Sequence, residues 1–470
     1  MKKDSMLNMS CSRSVLSLSE TIVLFCCLSN IFSQLQLQIR IQSVLLISHH
    51  YSKKHIMKRL ILFILPVLFA IGCEKSQVIN YEFQEQQSQE AIVLQKLNDF
   101  VASLSDESPY TKGTNGREVK SIDKISIQSA PETKSMDSNI ASEYTAYIVN
   151  YSDDQGFGII GMSDSSQRII AYSESGNIDP KLLSLSNNEE NTFLKQLIIN
   201  GIVNDDESVE TKATTGSVSP LLKTMWTQQT SSAGVEYNKY CYMTKSGNNN
   251  NHVPCGCTIL AGAMVIAYNG YPTSFTINGR TLSWFNMANY SEPYDDQAKE
   301  DVALLIGQLF NDCNGKIAFS EGTMVTARQI ELRLKDYGYN NVGRLQGSSF
   351  TSNMRSKTET MLEGNRPVFI SALGTSNHEG SGIYGHSWVI DGYRYEGSTM
   401  LVHCNWGWSG KGNGYFATNC FRTREGVSYD RLSDQNNPSN IPLQNLSYHY
   451  RLVYYGANSG TKSINKSFEL

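Results

Sequence analysis

Apolar and polar positions downstream of residue 93 predict a mixed domain. Short stretches with the pattern of β-strands, EYTAYIVNY, GFGIIGM and RIIAYS, are followed by EENTFLKQLIINGI, whose apolar spacing is typical of a helix. The pattern over residues 93–204 therefore predicts a small α+β domain.

A polar stretch without periodicity, DDESVETKATTGSVSP, follows this domain. Because it is punctuated by Gly and Pro, residues 205–220 are predicted to be an exposed linker between domains. The larger unit that follows, residues 221–456, contains all five tryptophans of the chain. The polar composition of residues 457–470 predicts a flexible tail.

The longest apolar run of the larger unit, CTILAGAMVIAYNGYP, begins at Cys257. Its small and apolar residues on all sides, ending at Gly270, predict a buried central helix. Pro254 and Gly256 keep the approach non-helical, so Cys257 is expected at the helix N-terminus. There the helix dipole favours a thiolate, and unpaired N–H groups can bind an oxyanion. The alternative is a buried cysteine that packs as a small hydrophobe.

Two strand-like stretches farther on, HSWVIDG and TMLVHCNW, predict an antiparallel hairpin. With the turn centred near Tyr395 and Glu396, the hairpin places His386 opposite Asn405. The amide oxygen would then accept a hydrogen bond from one ring nitrogen and leave the other to face a thiol. A strand-end histidine beside an unrelated asparagine is the alternative.

The remaining candidates around this hairpin are weaker. Trp406 and Trp408 are expected to shield the His–Asn pair from water. His378 lies in a Gly/Ser-rich loop, and His403 has no partner that the sequence identifies. A zinc site on the C-x-C pair is excluded by spacing, because structural zinc sites use C-x₂₋₄-C and a second pair. No metal or other cofactor is expected.

The stretch that begins at Met57, MKRLILFILPVLFAIGCEKS, has basic residues, a short apolar run and a Gly-Cys end. Its length fits an export signal and is too short for a spanning helix. Residues 57–73 resemble a bacterial lipoprotein signal with Cys73 as the acylated residue, although a chance cysteine in a hydrophobic segment is the alternative. Residues 1–56 are expected to be a mis-annotated or disordered extension, and residues 74–92 a Gln/Glu-rich tether.

Composition excludes two further classes of protein. The net charge is −4 and charged residues make up 18% of the chain, without a run of Lys and Arg. No nucleic-acid partner is therefore expected. The six cysteines downstream of Cys73 are too widely spaced for the disulfide framework of a small secreted domain.

Four stretches of the larger unit form an ordered pattern: LLKTMWTQQ, GCTILAGAMVIAYNGYP, GHSWVIDGY and NWGWSGKGNGYF. With these stretches in this order, the larger unit resembles the streptopain family of papain-like cysteine peptidases. The resemblance implies an α+β papain-like fold, with a central buried helix packed on an antiparallel sheet. It also implies these active-site residues: Gln228 (or Gln229) as an oxyanion donor, Cys257, His386, Asn405 and the neighbouring Trp406. Cys255 and Ser409 depart from the family pattern, which has a small neutral residue and a glycine there.

The N-terminal domain resembles the inhibitory propeptide of the same family, notably in QGFGIIGMSDSSQRIIAYSESGNID. Such a propeptide covers the active-site cleft until it is cut off. The resemblance implies an endopeptidase for protein or peptide substrates, inhibited by residues 93–204 and activated by a cut within 205–220, near Lys212. The signal adds export and a lipid anchor through Cys73 at a bacterial membrane or cell surface.

Two other functions fit the same sequence. One is a different Cys-His-Asn amide hydrolase, such as a cell-wall peptidase. The other is a non-catalytic surface lipoprotein that keeps the fold, although such a scaffold has no need for all four polar groups. Cys255 is expected to be a bystander, because a disulfide with Cys257 would close a strained ring.

Overall fold

The computed structural model describes most of the chain downstream of residue 88. The described residues are 89–104, 117–128, 143–162, 167–178, 198, 202, 216–241, 252–313, 318–319, 322–323, 325–376, 383–418, 421–423, 444–458 and 460–468. The following lie outside the described residues: the predicted extension over residues 1–56, the predicted leader with Cys73, Lys212 and His378. What the sequence indicates for them stays a prediction. Residues Ser88–Leu470 form one compact unit. Within the described ranges, no helix has the length and apolar character needed to cross a bilayer.

The N-terminal region combines a helix with an antiparallel meander. Helix α1 spans residues 89–104, so the predicted tether over residues 74–92 overlaps its first turn. Of the second predicted helix, residues 198 and 202 are described, and both are helical. The strands are β1 (Val119–Gln128), β2 (Glu143–Tyr151), β3 (Phe157–Met162) and β4 (Gln167–Ser173), each antiparallel to the next.

The larger unit is also mixed, which confirms the predicted α+β class. Its strands are β5 (Ser217–Val218), β6 (Ser274–Ile277), β7 (Arg280–Thr281), β8 (Ala318–Phe319), β9 (Gly322–Thr323), β10 (Gly343–Gly347), β11 (Val368–Ser376), β12 (Ile383–Glu396), β13 (Thr399–Asn405), β14 (Gly414–Ala417), β15 (Arg422–Thr423), β16 (Gln444–Tyr454) and β17 (Ser463–Lys466). Its helices are α2 (Cys257–Asn269), α3 (Trp284–Ala288), α4 (Asp296–Asp312), α5 (Ala327–Asp336) and α6 (Ser352–Glu363).

One continuous sheet joins the two regions. Its order is β1-β2-β3-β4-β14-β13-β12-β11-β16-β10, with β5 on β12 and β15 on β16. At the junction β4 pairs antiparallel with β14, so that Tyr172 lies opposite Tyr415 and Ser173 opposite Gly414. Because a free strand edge exposes unpaired N–H and C=O groups, joining two edges satisfies both. No pattern in the sequence indicates this junction.

Helix α2 is the buried centre of the larger unit, as its apolar run predicts. Every residue from Thr258 to Ala267 is buried. Gly270 ends the helix with a φ of 55°, a left-handed conformation that glycine adopts without strain. Gly262 permits close packing, since a Cβ there would lie 2.8 Å from the Ile330 side chain of α5. The helix also packs on β12, which places its N-terminus beside that strand.

The β12–β13 hairpin is present, but its turn is not where the sequence predicts it. Glu396 lies opposite Thr399, so the turn consists of Gly397 and Ser398. Gly397 has a φ of 63°, which a tight hairpin turn requires and glycine supplies. The predicted turn at Tyr395 and Glu396 lacks such a residue.

This shift changes the partner of Asn405. A register irregularity between Ile390 and Gly392 adds one residue to β12. Past it, Asn405 lies opposite Val389, three residues from His386. The predicted His386–Asn405 pairing across the hairpin is therefore wrong, because the position of the turn moves Asn405 away from His386 and the bulge moves it back by only one residue.

The end of the predicted linker is held against the sheet. β11 pairs with residues 383–390 of β12, which leaves the second half of β12 with a free edge. β5 fills that edge, with Val218 opposite Tyr393. The N–H of Leu221 then donates to the carbonyl of Asp391 over 2.8 Å. Residues 216–220 are thus not a free linker.

The tail that the sequence predicts to be flexible is part of the fold. β17 pairs in parallel with β6. Ile464 and Phe468 pack against the core, and the Phe468 ring lies 5.8 Å from that of Tyr240. The prediction fails because two apolar side chains within a polar stretch suffice to dock it.

Candidate active site

Cys257 is the first residue of α2. Gly256 precedes it with a φ of 86°, a conformation that favours glycine. The segment that leads into the helix is held by a distant part of the chain, because the N–H of Cys255 donates to the carbonyl of Gln228 over 3.0 Å. The first N–H groups of a helix have no intrahelical partner and mark the positive end of its dipole. The Cys257 side chain therefore starts where an anion is stabilised, as predicted.

Burial of Cys257 favours its thiol form over the thiolate. Burial raises its pKa, while hydrogen bonds from the backbone and hydroxyl of Ser387 and from Thr258 oppose the rise. The hydroxyls of Thr258 and Ser387 lie 2.8 Å apart and join α2 to β12. These donors reduce the cost of a thiolate without making it the resting form.

His386 is buried, and one of its ring nitrogens is held by the backbone. Its Nε2 lies 3.0 Å from the carbonyl oxygen of Trp406. Because a carbonyl oxygen can only accept, Nε2 carries the proton and Nδ1 is the free nitrogen of the neutral ring. Burial lowers the pKa of His386 to about 4, against the opposing effect of the Trp406 carbonyl.

Tryptophans surround the imidazole. The ring of His386 stacks on that of Trp408 at a centroid distance of 4.5 Å, with Trp406 at 6.1 Å and Trp388 at 6.2 Å. Trp406 also donates its indole N–H to the carbonyl of Gly412. Trp406 and Trp408 thus lie beside the ring of His386, and their shielding role stays a prediction.

Cys257 and His386 line the same cleft, which has a volume of about 600 Å³. Thr258, Ala372 and Ser387 contribute to the same walls. Within the described ranges, no residue of the N-terminal region lines this cleft. The described part of that region lies instead at the β14 edge of the sheet.

The predicted oxyanion donor lies beside the segment that leads to Cys257. Gln228 is buried and Gln229 half-buried. The backbone carbonyl of Gln228 accepts from Cys255, as described above. This contact holds Gln228 close to the helix start, and its side-chain role stays a prediction.

The side chain of Asn405 forms its hydrogen bonds with backbone groups rather than with the imidazole of His386. Its Nδ2 donates to the carbonyl of Thr224 over 2.7 Å, and its Oδ1 accepts from the N–H of Gly407 over 3.2 Å. The carboxamide therefore ties the start of the larger unit to the turn after β13. The carbonyl of Trp406 occupies the position that the sequence assigns to Asn405 beside the ring.

Cys255 is fully buried, and among the described cysteines neither it nor Cys257 forms a disulfide. Burial raises the pKa of Cys255 well above its ordinary value, with smaller contributions from Cys241 and Cys257. A protonated, enclosed thiol of this kind is a poor nucleophile. Cys255 therefore fits the bystander role.

His403 has the partner that the sequence does not identify. Its Nδ1 donates to Oδ1 of the buried Asp391 over 2.6 Å, and its Nε2 lies 4.0 Å from Oε1 of Glu174. Burial lowers the pKa of His403, but the two carboxylates outweigh it and raise the pKa overall. The sequence contains a sign of this pair, because Asp391 is a single acid inside the apolar strand HSWVIDG and a buried charge needs a partner.

The N-terminal region also contacts the loop after β13. The backbone N–H of Glu174 donates to the carbonyl of Asn413 over 2.9 Å, and the N–H of Gly412 donates to the hydroxyl of Ser175 over 2.7 Å. Oδ1 of Asn413 accepts from the N–H of Trp406 over 3.1 Å. Since the carbonyl of Trp406 holds the histidine, this series of hydrogen bonds runs from the N-terminal region to the cleft.

Comparisons with known proteins agree with this division. Residues 226–416 match the model of the peptidase C10 family, and residues 104–197 match that of the Spi protease inhibitor. No curated protein matches the chain. Among solved structures, active wild-type interpain A cysteine protease from Prevotella intermedia matches at 23% identity, over 53% of this chain and 100% of that chain, with a TM-score of 0.38. Residues 226–416, with Cys257 at a helix terminus, thus match a cysteine peptidase domain of the C10 (streptopain) family, and they follow a region that matches a protease inhibitor.

Proposed function

We propose that the chain is the precursor of a cysteine endopeptidase, with Cys257 as nucleophile and His386 as general acid and base. The observation that carries the proposal is that the start of α2 and the imidazole of His386 line one cleft. A helix N-terminus stabilises both a thiolate and an oxyanion. A neighbouring imidazole supplies the proton transfer that such chemistry needs.

Acylation then proceeds as follows. Nδ1 of His386 takes the thiol proton, and the Cys257 sulfur attacks the carbonyl carbon of the scissile bond. The oxyanion is bound by the backbone N–H of Cys257 and the side-chain amide of Gln228. The same imidazole donates the proton to the leaving amine as the C–N bond breaks, which leaves a thioester on Cys257.

Deacylation reverses the proton path. His386 removes a proton from water, whose oxygen attacks the thioester carbon, and the proton returns to the sulfur as the C–S bond breaks. The Trp406 carbonyl keeps Nε2 protonated, so Nδ1 is the nitrogen that accepts. Asn405 contributes indirectly, because it holds Gly407 immediately after Trp406.

The N-terminal region keeps the enzyme latent in this proposal. In the precursor, burial raises the pKa of the Cys257 thiol and lowers the pKa of the His386 imidazole, and both shifts oppose a thiolate–imidazolium pair. Because residues 216–220 are bound to the sheet, the activating cut is placed upstream of them, within residues 205–215. The described part of the region acts from the β14 edge through the loop after β13, without covering the cleft.

Export and anchoring complete the proposal. The stretch over residues 57–73 would direct export, and an acylated Cys73 would attach the precursor to a bacterial membrane or the cell surface. Cutting within residues 205–215 would then release the peptidase domain from the anchor. Metabolic labelling with a radioactive fatty acid tests this part, and a Cys73→Ala precursor that retains the label would contradict it.

The catalytic assignment is tested with the purified precursor carrying Cys257→Ser. We expect neither self-maturation on gels nor casein hydrolysis, because a serine hydroxyl is a far weaker nucleophile than a thiolate. Cys255→Ala is the matched control and should mature normally. A Cys257→Ser precursor that still matures and digests casein would contradict the assignment. Hydrolysis of peptidoglycan without casein would point to the cell-wall substrate instead.

A further inference from the structure

Three arginines line the cleft that contains Cys257 and His386. They are Arg328 on α5, Arg344 on β10 and Arg451 on β16. Among the described residues, no aspartate or glutamate lines it. The walls of the cleft therefore carry positive charge.

The sheet register connects one of these arginines to the reactive end. Ser387 lies opposite Ser371, and Ser371 lies opposite Arg451. Residues directly opposite in a sheet project to the same face. Arg451 therefore shares the face on which Ser387 meets Thr258, about 10 Å away across two strand spacings.

Glu331, which pairs with Arg344, does not neutralise this charge. Oε2 of Glu331 accepts from Nε of Arg344 over 3.1 Å, and its Oε1 accepts from Lys335 over 2.6 Å. Burial raises the pKa of Glu331, but hydrogen bonds from these two cations outweigh it and lower the pKa overall. One ionised carboxylate is thus shared by two cations.

The other two arginines have no acidic partner among the described residues. Arg328 is exposed in the first turn of α5. Nη1 of Arg451 donates to the carbonyl of His449 over 3.4 Å, which is an uncharged acceptor. Positive charge within a low-dielectric cleft concentrates the field on an incoming ligand.

We propose that Arg328, Arg344 and Arg451 form a subsite for an acidic side chain of the substrate. Guanidinium groups bind carboxylates through paired hydrogen bonds, which are stronger than those between neutral groups. An extended peptide advances about 3.3 Å per residue, so the subsite selects Asp or Glu within about three residues of the scissile bond. The inference rests on the proposed catalytic role of Cys257 and His386 and adds a substrate class to it.

Quenched fluorescent peptides, blocked at both ends, test the subsite with self-matured enzyme. A single Glu is moved through the three positions on each side of the scissile bond, and each peptide has a twin with Gln in its place. We expect at least one position with kcat/KM about tenfold higher for Glu, since a guanidinium binds a carboxylate more strongly than it binds a neutral amide. Raising NaCl from about 0.05 to about 0.5 M should reduce the ratio.

Variants assign the effect to the arginines. The Glu/Gln ratio should fall to about twofold or less in Arg451→Gln and in Arg328→Gln, the second being exposed and harmless to the fold. Arg355→Gln on α6, outside the cleft, should keep the full ratio. Taking the ratio within each variant cancels any general loss of active enzyme.

Ratios below about twofold at every position, or a preference that survives both cleft variants, would overturn the inference. Failure of the proposed function looks different. In that case neither twin is cleaved, and an epoxide inhibitor leaves Cys257 unmodified.

Discussion

Oε1 of Glu174 lies 4.0 Å from Nε2 of His403, and the two residues belong to different regions of the chain. Glu174 directly follows β4 in the N-terminal region, whereas His403 lies on β13 of the peptidase domain and holds Asp391 with its other nitrogen. A largely buried series of charges therefore crosses the junction at which the two regions share their sheet. The strands β4 and β13 lie on one side of β12 in the sheet, and the strands β10 and β16, which carry Arg344 and Arg451, lie on the other side.

This series predicts that docking of the N-terminal region weakens as the pH rises. Burial raises the pKa of Glu174, while His403 and Arg117 oppose the rise and Asp391 adds to it. The pKa of His403 is also raised in the docked state. Groups with a raised pKa take up protons on docking, so their contribution is present at low pH and is lost as the pH rises through those pKa values.

The measurement uses the Cys257→Ser precursor, cut within residues 205–215 by an added protease. The dissociation constant between the two fragments should increase from about pH 5 to about pH 8. Glu174→Gln should flatten the dependence, because the His403–Asp391 pair lies within the peptidase domain. A pH dependence that is unchanged in Glu174→Gln, or that has the opposite sign, would contradict this account.

Substituting Gly414 should separate the regions by steric means. A Cβ at this position would lie 2.1 Å from the backbone carbonyl oxygen of Tyr172 on β4. Because neither backbone can move without breaking the β4–β14 pairing, we expect Gly414→Ala precursor to mature faster than the wild type. Processed Gly414→Ala enzyme serves as the control and should show wild-type kinetics. Equal maturation rates would mean that the junction does not maintain latency.

Asn405→Ala distinguishes the two ways of orienting His386. In the structure Asn405 binds Thr224 and Gly407, so its loss should lower the free energy of unfolding by about 1–3 kcal/mol. Because the carbonyl of Trp406 holds the ring, the pH profile of kcat/KM should keep its midpoints. A shifted acidic midpoint in Asn405→Ala would show that the amide acts on the imidazole directly.

The C-terminal segment should contribute to stability. Phe468 packs against the core, and a Cβ on Gly307 would lie 3.0 Å from its ring. Phe468→Ala should lower the free energy of unfolding by about 2 kcal/mol, roughly half the cost of truncating a fully buried Phe. Denaturant unfolding measures this, and Lys462→Ala, in the loop before β17, is the control. A Phe468→Ala protein as stable as the wild type would restore the prediction of a free tail.

The sequence predicts local features of the site, such as the helix that begins at Cys257, better than it predicts which residues of distant segments lie opposite each other. The all-apolar run after Cys257 leaves one buried arrangement for a helix of that length, and Gly270 marks its end. The register of the next hairpin depends on which residue takes the positive φ of the turn, and Gly397 was the relevant signal. The bulge between Ile390 and Gly392 then moves Asn405 back by one residue, from a position opposite Ile390 to one opposite Val389, and no local sequence pattern predicts a bulge.

Contacts between distant segments were beyond the reach of periodicity. The β4–β14 pairing joins residues that are more than two hundred positions apart in the chain. The sequence of an edge strand does not indicate which other strand will pair with it. The arginines of the cleft are spread over α5, β10 and β16, and they come together only through the β10–β16 pairing and the packing of α5 on these two strands. Asp391 was the exception, because a charge inside an apolar strand is itself evidence of a partner.

The rate at which an epoxide inhibitor modifies Cys257 tests the central claim most directly. It is measured by mass spectrometry on the uncut precursor and on the processed enzyme at the same pH. A latent thiol–imidazole pair predicts modification of Cys257 alone, at least about tenfold faster after the N-terminal region is removed. Equal rates in both forms would contradict the latency, and modification of another cysteine with Cys257 left intact would contradict the catalytic assignment.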